Sequence, residues 1–212
     1  INKGLKWANK IDPGENIIYP DPDGRECFMG VDPAATGDDE AVLTTIGLNG
    51  SVFDIDVIPK CEIPELEGEI KRKINMDSRN YLEILIEENG LGEGTVHRFE
   101  REYPMVEGFR TTLRTKESIY NQAKNELQKG NIMLPDREDF LHQLRTVEYE
   151  LTNSENMKIH APSGEKDDMA DSFCLAVSAK TGNRPVERQS KIYSAGGSRA
   201  SEYSGEIGSY TY

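Results

Sequence analysis

The chain first settles into a hydrophobic rhythm at Cys27. CFMGVDPA is an apolar run that ends on Asp32, and EAVLTTIGL (Glu40–Leu48) is a second run rich in β-formers. SVFDIDVIP (Ser51–Pro59) alternates strictly at Phe53, Ile55 and Val57, as a strand with one buried face does. The links TGDD and Asn49-Gly50 suit hairpins, so three sequential antiparallel strands are predicted. IPELEGEIKRKINM (Ile63–Met76) then takes helical spacing, and YLEILIEENG (Tyr81–Gly90) reads as a short buried strand with an acidic tip. A helix around Gly94–Arg101 and a strand near Met105–Phe109 follow. TKESIYNQAKNELQKG predicts a helix capped by Thr115 and stopped by Gly130. NIMLP predicts a brief strand, PDREDFLHQLRTV a helix starting near Pro135, and VEYEL with MKIHA a hairpin. DDMADSFCLAVSAK (Asp167–Lys180) is the last helix, with Met169, Phe173, Ala176 and Val177 on its apolar face and Thr181-Gly182 closing it. This order predicts an α/β fold: a central mixed β-sheet with helices on both faces.

The flanks differ. Residues 1–26 are rich in Pro, Gly and Asp without periodicity and read as a linker or N-terminal arm, with a turn at Asp21–Gly24. Residues 183–212 are rich in Gly, Ser and Tyr and read as a flexible tail; 27–182 is the expected domain. A first residue of Ile suggests a fragment of a longer chain. No apolar run is long enough for a membrane span, and the start lacks a signal-peptide pattern. Cys27, Cys61 and Cys174 are scattered and lack C-x-x-C spacing, which suits reduced cytosolic thiols. A formal net charge of −13 repels nucleic acid unless cations gather the carboxylates or the basic residues share one face.

Three acidic clusters fall at the ends of apolar elements. Asp32 ends the first run, Glu87 and Glu88 end the fourth strand, and Asp167, Asp168 and Asp171 open the last helix. Each has an ordinary reading: a turn at Asp32-Pro33, a solvent-facing Glu after a strand, acids complementing a helix macrodipole. Together they allow a different one. Adjacent strands bring Asp32 beside Glu87, and Asp168 and Asp171, three apart, share a helix face. Carboxylates so crowded raise one another's pKa, a conflict that hard, oxygen-seeking Mg²⁺ or Mn²⁺ removes. Two such ions roughly 4 Å apart are a known device for phosphodiester hydrolysis.

The segments GVDPAATGDDEAV, ILIEENGLGEG and GEKDDMADSFCLAV resemble the three acidic motifs of the nuclease domain in large terminase subunits, the DNA-packaging motors of tailed viruses. TKESIYNQAKNELQKGNIMLPDREDFLHQL resembles that family's Lys-bearing helix followed by a G-x-I-x-L-P strand, so the likeness runs from about Met29 to Ala179. The final helix is also similar to the D-x-x-D-A-L-A helix of RuvC-type resolvases, with Ser172 in place of an Ala.

The resemblance implies a ribonuclease H-like fold with catalytic, metal-holding Asp32, Glu87, Asp168 and Asp171, and Asp167 as a further ligand. Glu87 is preferred to Glu88 because Glu87-Glu88-Asn89 meets the family's E-x-N pattern and Leu85 shares its strand face. It implies two Mg²⁺ or Mn²⁺ ions and the cutting of concatemeric double-stranded viral DNA in the host cell cytoplasm, with little sequence specificity. The implied partners are an ATPase domain of the same full-length chain, the portal and the small terminase subunit. No G-x-x-x-x-G-K-[ST] occurs here, so that ATPase would lie before residue 1. Lys116 and Arg114, then Lys166, are the candidate DNA contacts among the basic residues. His97, His142 and His160 lack metal spacing, and no nucleophile-elbow pattern appears. The alternatives are another ribonuclease H-like enzyme, such as a junction resolvase or transposase, and a non-catalytic portal-docking module.

Overall fold

The computed structural model describes residues 5–6, 26–33, 40–59, 62–76, 78–151 and 157–182. The predicted Asp21–Gly24 turn, the TGDD link, Cys61 and the segment 183–212 lie outside them. Five strands build the main sheet: β2 (Glu26–Asp32), β3 (Ala41–Gly47), β4 (Val52–Ile58), β5 (Asn80–Glu87) and β6 (Val106–Phe109), in the order β4-β3-β2-β5-β6. β2, β3 and β4 pair antiparallel as their short spacing predicts, whereas β5 runs parallel to both β2 and β6. Parallel neighbours need crossovers, supplied here by α1 (Ile63–Ile74) and by α3 (Glu93–Glu102), which follows the single turn α2 (Glu88–Leu91).

Strand alternation decides what each face packs against. Cys27, Met29 and Val31 of β2 and Ile84 and Ile86 of β5 join Leu66 and Ile70 of α1 and Val96 and Phe99 of α3 in one core. Phe28 and Leu85 point the other way, into a second core. That core is completed by α4 (Leu113–Gln128), α5 (Glu138–Thr146) and α6 (Asp168–Thr181). Helices therefore cover both faces, and α6 lies in the middle: Ser172 to Ala179 are all buried.

The β7 (Glu148–Leu151) and β8 (Met157–His160) hairpin forms as predicted, and β1 (Leu5–Lys6) adds to it through Leu5 opposite Tyr149. Three local expectations change. Thr112, not Thr115, caps α4; Thr115 sits at the third helical position and completes a reciprocal capping box with it. NIMLP forms no strand: Met133, which bridges to Ser51, and Leu134 are isolated bridge residues. Glu88 starts the extra turn α2, because Gly92 with a positive φ of 86° breaks the chain between α2 and α3.

Candidate metal centre

The site begins with register. Gly30 lies opposite Leu85 and Val31 opposite Ile86, so one step further Asp32 and Glu87 stand side by side at the ends of parallel strands. Both occupy the sheet face that α6 covers, because Gly30 and Leu85 do. Gly30 permits this approach: a Cβ there would lie 2.2 Å from the Ser172 carbonyl oxygen and 2.4 Å from the Ala176 amide nitrogen. Ser172 Oγ fastens the contact, donating to the Gly30 carbonyl at 3.0 Å and lying 2.9 Å from Thr44 Oγ1. Gln143 Oε1 accepts the Met169 amide at 2.8 Å, which satisfies one of the open donors at the start of α6. Asn89, the last residue of the E-x-N pattern, donates to the Thr111 carbonyl at 2.8 Å and ties the end of β5 to the segment before α4.

Asp32, Glu87 and Asp171 line one small cavity of about 10 Å³ together with Thr111, Lys116, Ile119 and Leu175. Asp32 is only 8% exposed. Burial, then the charges of Asp171 and Glu87, a hydrogen bond with Glu87, and Asp168 hold its carboxyl well above the usual range. Burial also pushes Asp171 up to about 6, with Lys116 opposing the shift and Asp167 reinforcing it.

Asp167 does not use its side chain to cap α6. Instead Lys116 Nζ donates to Asp171 Oδ2 at 2.6 Å and to Asp167 Oδ2 at 3.0 Å. Burial alone would lower the Lys116 pKa, but Asp171 and Asp167 outweigh it and the ammonium is held above its ordinary range. Tyr120, one turn along α4, donates its hydroxyl to Asp171 Oδ1 at 2.5 Å.

The structure thus brings Asp32, Glu87, Asp171 and Lys116 around one cavity, with Asp168 near enough to act on Asp32 and Asp167 reached through Lys116. Arg114 and Lys166 stand outside it, exposed; Lys166 pairs with Glu40 at 3.0 Å. The histidines take other duties, His142 lying 2.9 Å from Glu165 and His160 2.7 Å from the Ala161 carbonyl. Sequence reasoning missed Tyr120, whose signal was its place four residues after Lys116 on one helix face. Among the described residues, no three His, Cys, Asp or Glu side chains are spaced as around a bound ion. The donor set nevertheless has the chemistry of a hard-cation site: carboxylate oxygens only, crowded enough to keep Asp32 from ionising at its usual pH.

Five mixed strands covered on both faces, with acids at the ends of two central parallel strands and at the start of the helix packed on them, define a ribonuclease H-like α/β domain. Its fold is that of large-terminase nuclease domains. The magnesium-bound large terminase nuclease of thermophilic phage G20c superposes with a TM-score of 0.66 at 17% identity, covering 79% of this chain and 95% of that one. The nuclease domain of the Thermus phage P74-26 large terminase gives 0.61 at 17% identity, covering 72% and 78%. The large terminase of another thermophilic bacteriophage, in complex with ADP, gives 0.62 at 11% identity; 81% of this chain spans 44% of that longer one. The G20c nuclease is also known with bound cobalt and with bound zinc. No protein-family model and no curated protein matches the sequence.

Proposed function

We propose that this domain is the metal-dependent endonuclease of a phage large terminase, cutting concatemeric double-stranded viral DNA into genome lengths during packaging. One observation carries the reading: Asp32, Glu87 and the acids opening α6 come together at the ends of two central strands, in the fold of solved large-terminase nucleases. Asp32, Glu87 and Asp168 would hold divalent cations, with Asp171 and Asp167 as further ligands. A pair of Mg²⁺ or Mn²⁺ ions would supply the Lewis acidity that eases attack by water and departure of the 3′ oxygen. The protein's part is positional. Asp32 and Glu87 are fixed by register, and α6 is fixed by its backbone contact with Gly30, so the donors are placed before substrate arrives. Arg114, Lys116 and Lys166 are the proposed phosphate contacts. No segment of the sequence resembles a groove-reading helix, which supports weak sequence specificity.

The ADP-bound terminase chain is more than twice as long as its matched region, and the likeness to it supports an ATPase domain in the same full-length protein. The portal and small terminase subunit would be its partners, and the host cytoplasm its place of action. No described helix is long and apolar enough to cross a membrane.

The test is cleavage of supercoiled plasmid in Mn²⁺ by the wild type and by Asp32→Asn. The wild type should cut and the variant should lose more than about 100-fold, since losing a ligand should exceed the effect of losing its supporting partner. Full activity in the variant would remove Asp32 from the site, and failure of the wild type to cut would contradict the reading itself.

A further inference from the structure

We infer that Lys116 is the resident cation of the acidic centre in the metal-free protein, and that divalent ions must displace its ammonium to bind. The inference rests on the proposed nuclease reading and adds to it a competitor built into the fold. Three observations point to it. First, Lys116 is turned inward: its side chain is 17% exposed and its Nζ lies 2.6 Å from Asp171 and 3.0 Å from Asp167. Second, both oxygens of Asp171 are engaged, one by Lys116 and the other by the Tyr120 hydroxyl, so the carboxylate cannot simply turn toward an arriving ion. Third, the cavity shared by Asp32, Glu87, Lys116 and Asp171 is small, about 10 Å³, on the order of a single water. A divalent ion that keeps part of its water shell needs more space than that, and Lys116, on its four-carbon stem, is the most flexible side chain lining the cavity.

The arrangement has a physical logic. Buried carboxylates facing one another repel, and a monovalent cation on a flexible stem neutralises them without a metal. Lys116 supplies that charge from α4, and its four-carbon stem can leave again. A divalent ion brings twice the charge and wins the exchange, but only after breaking two charge-assisted hydrogen bonds. Lys116 therefore sets the concentration at which the centre loads, and acts as a positioning residue in the empty site.

The test is calorimetric Mn²⁺ binding to the wild type, Lys116→Met and Lys116→Gln, without DNA. With the competitor removed, Mn²⁺ should bind about tenfold more tightly in both variants, and their metal-free melting temperatures should fall. Unchanged or weaker affinity in a folded variant overturns the inference while leaving the nuclease reading intact. Absence of Mn²⁺ binding by the wild type overturns the nuclease reading and this inference with it. A second measurement needs no variant. The ¹⁵N signal of the Lys116 ammonium should be slowly exchanging in metal-free protein and should shift and broaden on saturation with Mg²⁺. A signal indifferent to saturating Mg²⁺ contradicts displacement.

Discussion

Asp32 places an ionisable carboxyl in a buried position, where burial and neighbouring acids oppose its charge. It closes a strand that is apolar from Cys27 to Val31, is 8% exposed, and faces Glu87, Asp171 and Asp168. Because its pKa in the folded state is raised, the folded protein binds this proton more firmly than the unfolded chain does. Stability contributed by the protonated form is therefore present at low pH and lost as pH rises through the folded pKa. Asp171, moved from 3.8 to about 6, behaves in the same sense, so its window runs from about pH 4 to just above 6. Asp32→Asn removes one of these charges and relieves its neighbours. In EDTA, the variant should melt higher than the wild type, with a gap of a few degrees that widens between pH 4 and 8, at roughly 2–4 °C per kcal/mol. A lower melting temperature for the variant at neutral pH, or a gap independent of pH, would count against the crowding. Asp32 and Glu87 were legible in the sequence because strand periodicity assigns faces without tertiary knowledge. The inward turn of Lys116 was not, since a helix pattern does not say which neighbour a long side chain meets.

At the scale of elements, the centre depends on how closely α6 lies on β2. The approach is backbone against backbone at Gly30, pinned by Ser172. Gly30→Ala places a methyl group 2.2 Å from the Ser172 carbonyl oxygen, so α6 must move and carry Asp168 and Asp171 with it. Overpacking of this kind costs about 1–3 kcal/mol. Ser172→Ala gives up the buried hydroxyl's bonds to Gly30 and Thr44 for about 1–2 kcal/mol but leaves the helix seated. Thermal melts should show both variants destabilised, with the stabilisation by Mn²⁺ reduced in Gly30→Ala and retained in Ser172→Ala. Equal Mn²⁺ responses in the two would mean that helix position does not govern the site. The element boundaries were readable where periodicity was long, as in α4 and α6. They failed where a local contact decided: the Thr112–Thr115 capping box moved the start of α4, and a predicted strand was reduced to isolated bridge residues at Met133 and Leu134. Gly30 looked like an ordinary glycine in a strand, because the helix that requires it lies about 140 residues away.

At the scale of the whole molecule, a net charge of −13 sets the electrostatic terms on which the proposed nuclease would meet DNA. Many basic residues are already paired on the face opposite the centre: Lys71 with Glu102, Arg72 with Glu69, Arg98 with Glu67. On the proposed nuclease reading, bringing DNA to the acidic centre would fall to the few cations near α4 and α6 and to bound metal, and a neighbouring motor domain would supply the rest of the attraction. Everything functional turns on whether acids spread from residue 32 to residue 171 form one cation-binding centre. Anomalous diffraction at the manganese edge from Mn²⁺-soaked crystals answers this most directly. The predicted result is a manganese peak within about 2.0–2.4 Å of carboxylate oxygens from Asp32, Glu87 and the first turn of α6 together. Manganese found only at scattered surface carboxylates, with none beside Asp32, would contradict it.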